Sequence, residues 1–446
     1  MLLHLGNRPT LVVSSANLAE EIMKTHDTNF ANRPKFKVGS IVVYDGRDIA
    51  LSNYGEYWRK LKSICVAHIL SNKKVQSFRN VREEEVSLIV ECIRENEPSA
   101  PVNLSDIIIS FTNDVISRAA FGRKYVGEGG GVSIKSLLDE LTEAFGTANI
   151  GDFIPWLSWI DHLSGVIRKS NKVAKGFDMF LEKLVQEHID QQKFQSHSDY
   201  DADKGDKVKD LVDVLIEIQR NDSSIERDNI KALPLDALLL NVLATGVETT
   251  STALEWAMSE LLIDPHAMKK LQDEVRVFSY AETIINEDDL KNMKYLKAVI
   301  KETLKLHPPL PLLLFHQSSH DVKVGDYDIA ARTQVFINVW AIQKHLALWD
   351  QPEEFRPERF MNTSLDLNEK DFKFVPFGAG KRGCPGISLA AIKAELVLAN
   401  LVGKFNWELP NGIKGSSFMA ESSGTTAHRR DPLILIPTRY SLDLDK

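Results

Sequence analysis

The stretch from Leu235 to Leu262 is the most apolar long run in the chain, yet it carries Asn241, Glu248, Glu255 and Glu260. A carboxylate near the middle of such a run makes a bilayer span costly. The run therefore reads as one long helix buried inside protein, and the rest of the chain has to supply its surroundings. The composition allows this: 43% of the 446 residues are hydrophobic, which can fill a large core, and nothing reads as disorder, collagen or a repeat array.

Helical spacing recurs over Glu56–Leu70, Lys74–Glu95, Leu104–Phe121, Ser133–Phe145, Ser170–Gln192, Leu211–Gln219, His266–Phe278, Lys291–Leu306 and Ile387–Val402. Ser105-Asp106 and Asp288-Asp289 are candidate N-terminal caps, and Pro308-Pro309 stops the helix ending near Leu306. Leu2 to Leu5 and Thr10 to Ser14 flank Gly6-Asn7-Arg8-Pro9 as a hairpin. Further extended runs come late, at Lys323 to Ile329, Gln334 to Asn338, Asn406 to Leu409 and Pro432 to Ile436. Gln195 to Asp210 and Gly127 to Gly131 read as surface loops; the second lacks the Gly-Lys-Ser/Thr of a phosphate loop. Length alone would allow about three domains. With no repeat and no Pro- or Ser-rich linker, the expectation is one domain over residues 1–446, mainly α with a small β region.

Lys plus Arg number 54 against 62 Asp plus Glu, a net charge of −8, which excludes a generally basic nucleic-acid binder. Three cysteines, Cys65, Cys92 and Cys384, build neither a disulfide framework nor a four-cysteine metal site, and their scarcity fits a reducing compartment. The opening residues have no basic leader and few apolar side chains, so neither a signal peptide nor an anchor is expected there.

The stretch Phe374-Val-Pro-Phe377-Gly378-Ala-Gly380-Lys381-Arg382-Gly383-Cys384-Pro385-Gly386 leads into an amphipathic helix. By glycine spacing alone, Gly378, Gly380 and Gly383 satisfy G-x-G-x-x-G, and Glu408 lies where a ribose-binding acid could stand. Against a dinucleotide fold, the flanking sequence lacks alternating βαβ units. Cysteine chemistry explains the stretch better. Cys384 sits just before a helix, where free N–H groups and the dipole favour a thiolate. Gly378, Gly380 and Gly386 permit tight turns and close approach of a flat cofactor. Arg382 offers a permanent forked cation for a carboxylate such as a haem propionate.

Phe377-x-x-Gly380-x-Arg382-x-Cys384-x-Gly386 resembles the haem-binding loop of the cytochrome P-450 family, the haem-thiolate monooxygenases. Other stretches resemble the family's motifs in its order: Trp58-Arg59-Lys60-Leu61-Lys62, Thr245-Gly-Val-Glu248-Thr249-Thr250, Glu302-Thr-Leu-Lys305 and Pro357-Glu-Arg359-Phe360. Lys301 to Pro309 and Pro352 to Phe360 are similar to the plant microsomal enzymes. No stretch of the given residues resembles the family's N-terminal membrane helix and Pro-rich hinge, so neither is expected within them. The likeness implies the cytochrome P-450 fold, with haem b between the distal helix and the cysteine loop.

The same resemblance implies roles. Cys384 would ligate the iron, and Phe377, Gly378 and Gly386 would pack about the haem. Glu248 and Thr249 would deliver protons from the distal helix; the competing local reading has a threonine hydroxyl bonding back to its own turn. Trp58, Lys62, Arg382 and His316 would hold the propionates. Glu302, Lys305 and Arg359 would form a buried ion-pair network beneath the haem. Substrate contacts would come from Val38 to Asp45, Asn241 to Thr245, Leu310 to Phe315 (an apolar wall) and Ser422 to Thr426. The chain departs from the family pattern at Thr245 (usually Ala or Gly), at Lys62 and His316 (commonly Arg) and at Lys305 (Arg). Cys65 and Cys92 read as ordinary packing.

The implied activity is oxidation of a small hydrophobic, plant specialised metabolite. NADPH would supply electrons through a separate flavoprotein, NADPH-cytochrome reductase, with cytochrome b5 as a second donor. Lys60, Lys62, Lys73, Lys74, Lys381 and Arg382 would form a basic docking face. The expected location is the cytosolic face of the endoplasmic reticulum membrane. An isomerase or dehydratase that needs no oxygen, and a degenerate haem binder without catalysis, are the alternatives on the same scaffold.

Overall fold

The computed structural model describes residues 1–95, 100–125, 134–147, 149–197, 210–221, 234–279, 283–367, 371–410, 418–422 and 424–440. The apolar run forms a helix over Pro234–Ile263, which lies at the centre of the molecule. It is apolar all round, so it needs neighbours on every side. It packs on helices Leu104–Phe121, Lys294–Leu306 and Ile387–Lys404, and on Val166–His197 and Pro265–Val275.

The polar residues of this helix are compatible with burial because each has a partner. Glu260 accepts from His307 Nε2 at 2.6 Å, Glu248 accepts from two threonine hydroxyls, and Asn241 donates to Asp48. Glu255 is buried with Ser105 and Arg429 beside it, and burial raises its pKa. Among the described residues no helix is long and apolar enough to cross a membrane.

Strands are few. Leu2–Leu5 pairs antiparallel with Arg8–Val13, which runs parallel to Gln334–Ile337 (Thr10 opposite Gln334); His316–Gln317 closes that sheet. Val102–Asn103, Ile434–Arg439 and Phe405–Glu408 form a second sheet, and Val322–Val324 with Tyr327–Ile329 a hairpin. Among the described residues the only parallel strand pair joins the first residues to a strand more than 300 residues later, and no βαβ unit follows the cysteine loop. This removes the dinucleotide reading.

Most helix positions follow the sequence reading, but Lys74–Glu95 is two helices, Asn72–Ser77 and Arg79–Glu95, Ser170–Gln192 lies inside the longer Val166–His197, and two caps differ. Leu104–Phe121 begins one residue before Ser105, and its cap is Asn103, whose side chain accepts the Asp106 N–H at 3.3 Å. Asp288-Asp289 opens a short 3₁₀ turn, Asp289–Asn292, before the helix Lys294–Leu306. The free N–H groups of that helix, at Tyr295 and Leu296, go to the Glu274 carboxylate at 2.9 and 2.8 Å. The loop expected over Gln195 to Asp210 starts later, because Val166–His197 is one helix. The rest of that loop up to Asp210, and Gly127 to Gly131, lie outside the described residues.

Candidate active site

Three walls enclose a cavity of about 620 Å³. The central helix contributes Asn241, Thr245, Glu248 and Thr249; the cysteine loop contributes Phe377, Gly378, Arg382, Cys384 and Gly386; the segment after Leu306 contributes Leu310, Leu313, Leu314 and Phe315. Leu312 leaves the expected apolar wall and points to solvent. Val38, Gly39 and Val43 line the cavity, whereas Asp45 pairs with Lys35 at the surface. Thr425 and Thr426 line it from the C-terminal turn, and Ser423 lies outside the described residues.

The backbone shapes the cysteine loop. Gly380 has φ +69°, and a Cβ there would stand 2.1 Å from the Met23 carbonyl oxygen, so only glycine fits. Gly386 has φ −95° and needs no such freedom. Its N–H instead meets Cys384 Sγ at 3.4 Å. The Cys384 N–H donates to the Phe377 carbonyl at 3.0 Å, closing the loop. The sulfur opens onto the cavity, deep in the protein. Burial pushes the thiol pKa up, while the Gly386 N–H and Lys62 pull it down.

Partly buried cations crowd one side of this sulfur. Arg382 donates to the carbonyls of Ala31 (2.6 Å), Ile49 (3.2 Å) and Ser52, and burial lowers its pKa to about 10. Lys62 Nζ donates to the Lys381 carbonyl at 2.7 Å, and burial and Arg382 lower its pKa. The Trp58 ring lies 4.5 Å from the Arg382 guanidinium and 5.0 Å from Lys62 Nζ. Its own N–H is taken by the Ile49 carbonyl at 2.9 Å. His316 is buried, and burial with the Arg33 charge pushes its pKa down to about 3. It is neutral, donates Nδ1–H to the Phe30 carbonyl at 2.8 Å, and keeps only an acceptor at Nε2.

Arg33 supplies the cation that His316 does not. It donates to the carbonyls of Ala50 (2.9 Å) and Leu314 (3.0 Å), and burial and Arg382 lower its pKa to about 9. The carboxylates that offset these cations are Asp48 and Asp27, and burial raises the pKa of Asp48 itself. A group bearing negative charge would relieve the crowding. A sulfur with a helix-side N–H, an apolar slot and a cluster of buried cations is the donor set that haem needs, thiolate for iron and cations for propionates. The residues fit.

On the opposite wall Thr249 Oγ1 donates to the Thr245 carbonyl at 2.7 Å, the local back-bond weighed against a relay. Thr245 does the same to Asn241. Glu248 accepts from Thr142 Oγ1 at 3.1 Å and from Thr426 Oγ1. Glu248 and Thr249 thus share the cavity wall but hold different partners.

Behind the loop, Glu302 meets Lys305 Nζ at 3.5 Å and Arg359 Nε at 2.9 Å. Trp349, beside Lys305 and Arg359, packs tilted against Phe360 and edge-on against Phe374, linking this triad to the start of the cysteine loop. The expected basic face is narrower than its list of residues. Lys60 and Lys73 are exposed, but Lys62 and Arg382 turn inward and Lys381 pairs with Asp27. Sequence reasoning missed Arg33 and Thr142. Arg33 precedes Pro34, which marks an extended segment and nothing more, and Thr142 lies on an ordinary amphipathic helix.

Residues 1–432 match the family model for cytochrome P450. Cytochrome P450 71A25 of Arabidopsis thaliana is 48% identical over 445 residues, which cover 99% of this chain and 86% of that one. Cytochrome P450 736A117 of Prunus mume is 47% identical over 443 residues (97% and 82%), and cytochrome P450 71A4 of Solanum melongena 45% over 446 (99% and 86%). A solved structure of a zebra fish cytochrome P450 with abiraterone superposes with a TM-score of 0.77 at 23% identity, covering 99% of this chain and 96% of that one. With fold, donor set and relatives in agreement, the chain belongs to the cytochrome P450 family, similar to its plant 71A members, and is a haem-dependent monooxygenase supplied with electrons by a separate reductase.

Proposed function

We propose that the chain, as one domain over residues 1–446, oxidises a small lipophilic metabolite of plant specialised metabolism. The observation that carries this is the cavity itself: the Cys384 sulfur opens into a space walled by Val38, Phe36, Leu310, Leu313 and Phe315, with polar breaks at Asn241 and Thr245. The plant origin of the relatives points the same way. Haem, when bound, supplies oxygen activation and transfer of one oxygen atom. In this reading Cys384 holds its iron, and Phe377, Gly378 and Gly386 pack around it. Arg382, Lys62 and Arg33 hold its carboxylates, with Trp58 orienting the first two. His316 anchors the Phe30 backbone beside them. Glu248, held by Thr142 and Thr426, carries a proton to the cavity, and the Thr249 oxygen keeps a lone pair for it.

Electrons from NADPH arrive through NADPH-cytochrome reductase, with cytochrome b5 as a second donor; exposed Lys60 and Lys73 support a basic docking face. Trp156, Trp159 and Leu163 are 68%, 55% and 77% exposed, an apolar patch that supports contact with a membrane surface at the endoplasmic reticulum. The test is reconstitution with the reductase and a panel of lipophilic plant metabolites under ¹⁸O₂, after a thiolate-type Soret band has been recorded with carbon monoxide. One labelled atom in the product is expected. Unlabelled product, or a preference for hydrophilic compounds, overturns the reading.

A further inference from the structure

Lysine is almost never fully buried without a charged partner. Lys393, on the helix Ile387–Lys404 that follows the cysteine loop, is 1% exposed. Among the described residues no carboxylate pairs with it, and the charge that acts on it is the cation of Arg82, which repels it. Its Nζ donates at 2.8 Å to one group, the carbonyl oxygen of Gly246 on the central helix. By helix geometry that oxygen already faces the Thr250 N–H, and the Thr250 hydroxyl approaches it at 3.3 Å. Both Lys393 and Gly246 border the cavity. The bond therefore joins the two elements that face each other across the site, two residues before Glu248 and three before Thr249.

We infer that Lys393 is a positioning residue for the monooxygenase reaction, a strut that ties the Gly246 carbonyl to the cysteine-loop helix and so holds Glu248 and Thr249 at a set distance from Cys384. The inference rests on the proposed roles of Glu248 and Thr249. A lysine present only by packing behaves otherwise. Replacing an unpaired buried cation by an apolar side chain of similar length is neutral or stabilising and leaves chemistry alone. A strut, once removed, loosens the central helix next to the reacting groups, where small displacements reduce rate strongly.

The experiment uses the haem-loaded protein and its Lys393→Met, Lys393→Gln and Glu248→Gln variants. Three quantities are read: amide exchange of the peptide 245–252, hydrogen peroxide released per NADPH oxidised with reductase and 7-ethoxycoumarin as lipophilic probe, and the thermal midpoint. Lys393→Met should exchange about tenfold faster in that peptide and release roughly threefold more peroxide per NADPH, with its midpoint unchanged or raised. Lys393→Gln, which keeps an N–H one bond nearer the backbone, should recover part of both. Wild-type exchange and peroxide in Lys393→Met overturn the inference, as does a rise in both that merely tracks a fallen midpoint in the two Lys393 variants. Unaltered peroxide in Glu248→Gln alone refutes the Glu248 reading, while the exchange data still report on the strut.

Discussion

Replacing Lys305 with arginine probes the weakest joint in the packing behind the cysteine loop. Glu302 and Lys305 are both fully buried, yet their closest approach is 3.5 Å, and Lys305 Nζ makes its short bond, 2.6 Å, to the Pro352 carbonyl. Glu302 Oε2 lies 2.9 Å from Arg359 Nε, but the angle is poor and both atoms lack a hydrogen bond. The other nitrogens of Arg359 are held by the carbonyls of Asp350, Gln351 and Glu354. Burial of this half-satisfied set pushes Glu302 up to about 7 and Lys305 down to about 8. A guanidinium at 305 presents a planar fork that reaches both carboxylate oxygens. Pairing one orphaned buried acceptor is worth about 1–3 kcal/mol, and we take about 2 kcal/mol. For 446 residues the unfolding entropy is about 0.9 kcal/mol/K, so the midpoint should rise by about 2 °C. If haem release requires this region to loosen, the same energy slows it by up to about 30-fold. Scanning calorimetry reads the first quantity, and transfer of haem to apomyoglobin reads the second. A lower midpoint together with unchanged haem transfer refutes the argument.

Cys384→Ser should leave purified protein without a thiolate-type carbon monoxide spectrum, whatever its fold; an unaltered spectrum would mean another ligand. Glu248→Gln should lower turnover by about 10²-fold with little change in substrate binding, and Thr426→Val, which removes one of the two hydroxyls holding Glu248, should lower it less; equal losses would show that Thr426 acts on its own. Stability should depend on pH through Lys393, whose pKa burial lowers to about 7. Between about pH 7 and pH 10.5 the unfolded chain holds the proton that the folded one lacks. Stability therefore rises across that window, and the penalty is full below it, on the order of several kcal/mol. Urea midpoints at pH 7 and pH 9 should differ less in Lys393→Met than in the wild type, and an equal difference would remove Lys393 as the source.

What could be read in the sequence was what is local. The helix Leu104–Phe121 has the predicted limits because its periodicity and the glycine after it act within a few residues. The cysteine loop was legible because its glycines, arginine and sulfur lie within ten residues. Caps supplied by tertiary partners were not. Glu274 takes the N–H groups of Tyr295 and Leu296 from about twenty residues away, so Asp288-Asp289 was the better guess and still missed. The neutral state of His316 was not legible for a similar reason. Its charge state is set first by burial and then by Arg33, 283 positions earlier in the chain, and no spacing connects either to it. Thr142 and Lys393 meet the central helix only through folding.

One contact has a practical meaning for anyone who re-engineers the front of this chain. The Asp27 carboxylate accepts the backbone N–H of Lys381 at 3.1 and 3.0 Å and faces its ammonium at 3.3 Å, while the Met23 carbonyl fills the space over Gly380. The strand Arg8–Val13 holds that segment in register with Gln334–Ile337. A tag, deletion or swapped leader within the first thirty residues would therefore be felt at the sulfur near the other end. Loss of colour after such an edit would report a released latch, with the metal-binding residues themselves untouched.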